Sequence, residues 1–201
     1  MIAIIDYEMG NCRSIVNMLY RLGINSIITR DHEKIKSADK IILPGVGSFD
    51  AAMANLKKHN LINILNQEVM EKKCPILGIC LGMQILTEKS QEGKLRGLGW
   101  ISGEAKKFKA NQDIKVPHMG WNYVEVNKNS KLSNGLSHDS KFYFVHSYYV
   151  NVKNNEESSM KTNYSLEFDS AIEKDNIFGV QFHPEKSHKY GMQLLKNFSD
   201  V

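Results

Sequence analysis

The first half of the chain alternates short apolar runs with stretches whose apolar residues recur every three or four positions. Residues 1–5, 24–29, 40–43 and 75–79 are the apolar runs, and each reads as a buried strand. Between the first two, residues 11–22 place Ile15, Met18, Leu19 and Leu22 on one helical face, with Gly23 where a C-terminal cap belongs. Helices are also predicted over residues 50–58, over 61–72 with Leu61, Ile64, Leu65 and Val69 on one face, and over 81–89. Strands alternating with helices predict a parallel sheet covered by helices on both faces.

After Gly93 the pattern changes, as Gly93, Gly97 and Gly99 interrupt the helical spacing. Residues 105–109, 122–126, 141–150 and 165–173 read as strands, which adds antiparallel structure in the second half. Residues 127–140 and 151–163, rich in Asn, Ser and Lys, read as loops or hairpin tips. A strand over 177–182 and a helix over 191–198, with Leu194, Leu195 and Phe198 inward, complete the pattern. With no repeat, linker or low-complexity tract, residues 1–201 read as one domain.

Composition narrows the function classes. The 201 residues are 42% hydrophobic and 24% charged, ordinary for one soluble domain with a full core. A net charge of +4, evenly spread, is too small to argue for a nucleic-acid partner. The densest basic cluster, Lys106-Lys107-Phe108-Lys109, reads as a solvated strand edge. Cys12, Cys74 and Cys80 are an odd set without metal-like spacing, so a reducing cytoplasm is expected, with neither a disulfide framework nor a metal. No apolar run approaches the ~18 residues that span a bilayer, so no membrane partner is expected. The first residues lack a basic leader region and read as a strand, not a signal peptide.

The chemistry concentrates at Pro-Ile-Leu-Gly-Ile-Cys-Leu-Gly-Met-Gln, residues 75–84. A nucleophile between glycines at a strand-to-helix turn is the nucleophile elbow, with the sulfur of Cys80 in place of a serine oxygen. Such a turn strains the nucleophile's backbone, and a Cβ two residues to either side would collide with neighbouring chain. The free N–H groups of the helix that follows point at the sulfur and favour its thiolate. An isolated cysteine closing a core strand is the plainer reading; the flanking glycines and the partners below reverse it.

A thiol nucleophile needs a base, and the base an orienting group. Val-Gln-Phe-His-Pro-Glu, residues 180–185, ends a strand in His183 with Glu185 two residues on and a stiff proline between. Strand ends on one edge of an open α/β sheet line the ligand crevice, so Cys80 and His183 can meet. An oxyanion would be held by the amide of Leu81 and by the turn 44–47, Pro-Gly-Val-Gly, which includes Gly45 and Gly47. Gly-x-Gly is equally a phosphate-binding turn, although the third glycine and the lysine of a nucleotide site are missing. His32, His59, His138 and His188 sit in polar surroundings and read as surface residues. His118 lies in Pro-His-Met-Gly-Trp-Asn, and His146 alternates with Phe144 and Tyr148 as a residue packed on a sheet face would.

Pro-Gly-x-Gly, Gly-x-Cys-x-Gly-x-Gln and His-Pro-Glu, in that order, resemble the class I (triad) glutamine amidotransferases. Asp6-Tyr7, Gly10-Asn11, residues 117–122, residues 144–149 and residues 179–187 extend the resemblance over essentially the full length, toward the glutaminase subunits of imidazole glycerol phosphate synthase. The resemblance implies a flavodoxin-like three-layer sandwich. It also implies glutamine hydrolysis through a thioester on Cys80, with His183 oriented by Glu185 and no cofactor. In that family the positions of Gly45, Gln84, Glu92, Ser147 and Tyr148 bind glutamine. Gln84, four residues after Cys80 on the elbow helix, faces the same way. Ammonia must reach its acceptor along a closed path. The resemblance therefore implies a (β/α)8-barrel cyclase partner in a heterodimer, making imidazole glycerol phosphate and AICAR in histidine biosynthesis.

Asn11, Trp121 and Lys186 are the implied partner-facing residues, although Trp121 and Met119 also read as plain core. Glu8 stands where the family has a small residue, most often glycine, and Cys12 where it has a leucine-like one. A carboxylate in that loop alters electrostatic complementarity and suggests a variant partner, such as a sugar-modifying enzyme of surface-glycan biosynthesis. Two other classes compete: a cysteine peptidase on the same fold, which would release peptides without turning over glutamine, and a binding module with a dead site, which an intact Cys80, His183 and Glu185 argue against.

Overall fold

The computed structural model describes residues 1–110 and 115–201. In the first half, β1 (Ile2–Ile5), α1 (Cys12–Arg21), β2 (Ser26–Thr29), α2 (His32–Lys36), β3 (Lys40–Leu43), α3 (Phe49–Lys58), α4 (Leu61–Asn66), β4 (Ile76–Ile79) and α5 (Leu81–Ile85) follow one another. The second half holds β5 (Lys89–Ser90), β6 (Gly103–Lys107), β7 (His118–Tyr123), β8 (Glu125–Val126), β9 (Lys141–His146) and β10 (Tyr148–Val152). It ends with β11 (Ser158–Tyr164), β12 (Leu166–Lys174), β13 (Ile177–Val180) and α6 (His188–Ser199).

The main sheet runs β2-β1-β3-β4-β13-β12-β10-β6-β5, with β11 and β8 joined beside β12. From β2 to β13 every pairing is parallel, and from β13 through β12, β10 and β6 it is antiparallel. β1, β4 and β13 are buried along their whole length, because helices cover both faces. Ile5, Leu43 and Ile76 pack with Phe49, Leu56 and Leu65 of α3 and α4 on one face. Ile4, Leu77, Phe178 and Val180 pack with Ile15 and Leu19 of α1 and Leu194 and Phe198 of α6 on the other. This is the expected three-layer α/β sandwich. No helix among the described residues is long and apolar enough to cross a membrane.

The departures from the sequence reading are local. The elbow helix stops at Ile85 rather than Lys89, because the carbonyls of Ile85, Leu86 and Thr87 accept from Leu98, Trp100 and Gly99 instead of from a further turn. The helix expected over residues 61–72 changes after Asn66 into a wider turn of five residues, Gln67–Glu71. The strand expected over 141–150 breaks at Ser147: β9 pairs with β7 in a separate ribbon, and β10 returns to the main sheet. The strand expected over 122–126 is likewise two, β7 and β8, on either side of Val124. β11 takes up the second half of the expected loop 151–163 and ends one residue past it; its Ser-Ser-Met-Lys-Thr-Asn run has little apolar alternation, and irregular backbone pairing with β12 holds it instead. α2, capped by Asp31, is too short to leave a periodic signal.

α6 seats the turn that carries His183 and Glu185. A Cβ on Gly191 would lie 1.8 Å from the carbonyl oxygen of Pro184. Gly191→Ala is therefore expected to push helix and turn apart and to lower stability by more than about 2 kcal/mol in urea unfolding.

Candidate active site

Cys80 leaves β4 with φ 55 and ψ −109, a left-handed backbone that L-residues rarely adopt. Such strain costs on the order of 1–3 kcal/mol and survives only where surrounding contacts impose it. Both glycine expectations hold. A Cβ on Gly78 would lie 2.7 Å from backbone atoms of Gly82, and one on Gly82 would lie 1.9 Å from the Leu43 carbonyl oxygen. The Cys80 N–H donates to the Val180 carbonyl at 2.8 Å, which ties the elbow to the end of β13.

Beyond β13 the chain passes through Gln181 and Phe182 to His183, whose N–H donates to the Tyr143 carbonyl at 2.9 Å. Ser187 Oγ donates to the His183 carbonyl at 2.6 Å and accepts from the Tyr143 N–H at 3.0 Å, so the turn is tied to β9. The Nδ1–H of His183 donates to Glu185 Oε1 at 2.7 Å, with the two side chains only 2% and 3% exposed. That bond sets the tautomer and leaves Nε2, which is buried without a hydrogen-bond partner among the described residues. Burial opposes charge on His183. The Cys80 sulfur and Glu185 carboxylate beside it outweigh that penalty and raise its pKa, favouring imidazolium.

Cys80 and His183 face a cavity of about 340 Å³ lined also by Val46, Gly47, Leu81, Gln84, Glu92, Ser147 and Tyr148. Of the expected oxyanion and glutamine-binding residues, Gly45 alone lies outside this lining. It packs behind the elbow, where a Cβ would lie 2.6 Å from Gly82 N and 2.8 Å from the Tyr7 hydroxyl. Its role is to let the turn 44–47 approach α5. Glu92 Oε2 accepts from the Phe49 N–H at 2.7 Å, supplying the cap that Ser48 does not make at the start of α3. Gln84 Nε2 donates to the Tyr148 carbonyl at 3.0 Å and to Gln181 Oε1 at 3.1 Å, while Gln181 Nε2 donates to Cys80 Sγ at 3.7 Å.

Gln181, fully buried, and His146, a wall of the cavity, were not expected at the site. A glutamine inside the apolar run 177–182 was the available signal for the first.

The expected partner-facing residues sit on the surface. Trp121 is 44% exposed, between Met119 at 61% and Tyr123 at 56%, which overturns the core reading of Trp121 and Met119. Lys186 Nζ lies 5.6 Å from the ring centroid of Tyr143, and Asn11 caps α1 by accepting from the Ser14 N–H at 3.3 Å. Glu8 has φ 68, which explains the glycine expected at its position. Ion pairs with Lys58 at 2.9 Å and Arg30 at 3.5 Å hold it there, beside His59 at 3.1 Å. His59 is thus half-buried in an ionic cluster, not a free surface residue.

A buried cysteine held at a strained elbow, with a carboxylate-oriented histidine across a small cavity, is a site for acyl transfer. The model of the class I glutamine amidotransferase family matches residues 3–201, and the chain belongs to that family. It is 58% identical to imidazole glycerol phosphate synthase subunit HisH 2 of Methanococcus maripaludis, over 98% of each chain. It is 47% identical to the subunit of the same name from Pseudomonas aeruginosa over the full length of both. Among solved structures, PurLQS from Thermotoga maritima superposes with a TM-score of 0.76 over 99% of this chain and 97% of that one, at 18% identity. The glutaminase domain of Trypanosoma brucei CTPS with bound acivicin superposes with a TM-score of 0.62 over 99% and 93%, at 16% identity. These two support the fold.

Burial lowers the pKa of His118 to about 4 and of His146 to about 3, from an ordinary 6.5. The unfolded chain therefore takes up protons at a pH where the folded chain does not. The stability tied to the two neutral rings is complete above pH 6.5 and is lost as pH falls from there through about 4 to about 3. The urea midpoint is expected to drop between pH 7 and pH 5, and His146→Phe to flatten that drop.

Proposed function

We propose that this chain is the glutaminase subunit of an imidazole glycerol phosphate synthase. The single observation that carries the reading is the Cys80 elbow facing the His183–Glu185 pair across a cavity that Gln84, Glu92 and Tyr148 also line. Cys80 Sγ attacks the side-chain carboxamide carbon of glutamine. The negative oxygen of the tetrahedral intermediate is held by backbone N–H groups at Leu81 and Gly47. His183 gives its proton to the departing nitrogen, so ammonia leaves and a thioester remains. His183 then takes a proton from water, whose oxygen attacks the thioester, releasing glutamate and restoring the thiol. Glu185 holds the imidazole in place and favours its cationic form through both steps.

Relatives named as synthase subunits imply a partner subunit, and they favour the histidine pathway over the surface-glycan alternative. A (β/α)8-barrel cyclase in a heterodimer is the partner we propose. The row formed by Met119, Trp121 and Tyr123, exposed on alternate positions of β7, supports its docking there with Asn11 and Lys186. We place the enzyme in the cytoplasm, where its three free cysteines stay reduced. Residues 1–201 act as one amidotransferase domain.

Glutamine hydrolysis by the purified chain, alone and with a barrel subunit and its nucleotide substrate, tests the reading. Turnover is expected to rise with the partner and to yield imidazole glycerol phosphate. Cys80→Ala is expected to reduce turnover by at least about a thousandfold. Substantial residual activity in that variant sinks the mechanism. A reactive Cys80 with no stimulation by the barrel subunit sinks the assigned acceptor.

A further inference from the structure

His118 on β7 and His146 at the end of β9 are cross-strand partners, 3% and 6% exposed, and neither has a step in the mechanism above. Aromatic rings enclose them. Tyr164 and Phe144 stack on His118 at 4.0 and 4.8 Å, and Phe108 stands edge-on to His146 at 5.3 Å.

Their hydrogen bonds can run in one direction only. The Asn122 amide is pinned at both ends, its Oδ1 accepting from the Tyr123 N–H at 2.8 Å and its Nδ2 donating to the Asn163 carbonyl at 3.0 Å. The atom that lies 3.2 Å from His118 Nε2 is therefore a donor, and that ring nitrogen accepts. His118 then carries its proton on Nδ1 and donates to His146 Nε2 at 2.9 Å. His146 in turn carries its proton on Nδ1 and donates to the Tyr148 carbonyl at 2.7 Å. Starting from the other end gives the same result. A carbonyl only accepts, so His146 Nδ1 must donate and, in a ring that burial keeps neutral, its Nε2 must accept.

This run of hydrogen bonds ends at the cavity. The Tyr148 carbonyl also accepts from Gln84 Nε2, whose second partner, Gln181, reaches Cys80 Sγ. His146, Ser147 and Tyr148 form one wall, at the point where the backbone leaves the β7–β9 ribbon for the main sheet. We propose that His118 and His146, with tautomers set by Asn122, are positioning residues that hold this wall against Gln84 for glutamine binding. Two apolar rings would fill the same aromatic space. They would take one of the two side-chain donors that the described residues offer the Tyr148 carbonyl, leave Gln84, and free the wall to turn. The kinetic part of the proposal rests on the glutaminase reading, and the tautomer part does not.

The test is a long-range proton–nitrogen NMR correlation on the full chain labelled with nitrogen-15 histidine, joined to glutamine kinetics of the complex with its partner. Both rings are expected as Nδ1–H tautomers. His118→Phe is expected to raise KM for glutamine about tenfold with kcat within about twofold. His118→Asn, which keeps a donor near the Nδ1 position, is expected to recover most of that loss. An Nε2–H tautomer at either histidine overturns the proposal, and so does a folded His118→Phe with native KM. Should His118→Phe fail to fold, His118→Leu replaces it under the same KM criterion, since it also removes the donor to His146 Nε2. A native complex that turns over no glutamine counts against the glutaminase reading, while the tautomers still judge the hydrogen-bond arrangement of the two histidines.

Discussion

Everything at the site depends on how closely backbone approaches backbone at the elbow. α5 begins directly against the end of β3 and the turn after it, near enough that a methyl group at Gly82 would lie 1.9 Å from the Leu43 carbonyl oxygen, deep inside contact distance. Gly45 and Gly78 close the same gap from the other sides. Three positions without a Cβ let helix, strand and turn meet, and that meeting holds Cys80 in its strained conformation. Cys80 and Leu81 both line the cavity there, and in the proposed reaction the first helical N–H holds the charge that develops on the substrate oxygen. The stability of the surrounding core is what maintains this arrangement.

A second constraint comes from polar groups buried in that core. Gln84 and Gln181 are 4% and 0% exposed, and each has hydrogen-bond partners on other elements. A buried amide without partners costs on the order of 1–3 kcal/mol, so the elements carrying these side chains are held in register by the need to satisfy them. The paired backbones of β4 and β13 set the same spacing, with Val180 opposite Ile79. The cysteine and histidine, far apart in sequence, thus stand on adjacent strand ends.

The surface near the site is built differently. Glu8 occupies a backbone conformation that glycine reaches without cost, and exposed ion pairs hold it there. Exposed pairs contribute little singly because solvent screens them, so several partners gather around this one carboxylate. Met119, Trp121 and Tyr123 alternate with His118, Gly120 and Asn122 along β7. One face of a single strand is exposed and apolar, and the other carries the buried His118, hydrogen-bonded to His146 on β9.

The sequence by itself determined the parallel half of the sheet, the elbow and the triad candidates, because each rests on short-range chemistry. Strand burial shows as an apolar run, α1 as a repeat on one face, the elbow as glycines around a cysteine, and the oriented base as His-Pro-Glu. The likeness of those motifs to one family also brought Gln84, Glu92, Ser147 and Tyr148 to the cavity ahead of the structure. Tertiary structure decided what depends on distant partners. The short α5 follows from carbonyls claimed by residues 98–100. The break at Ser147 follows from a strand that changes sheets, and β11 from a backbone ladder that its polar side chains do not announce. Gly45 packs behind the elbow, and His146, packed on its sheet face as expected, also forms a wall of the cavity, for the same reason. Which face of a residue meets solvent, substrate or a second ring is set by the elements packed on it, and those lie elsewhere in the chain.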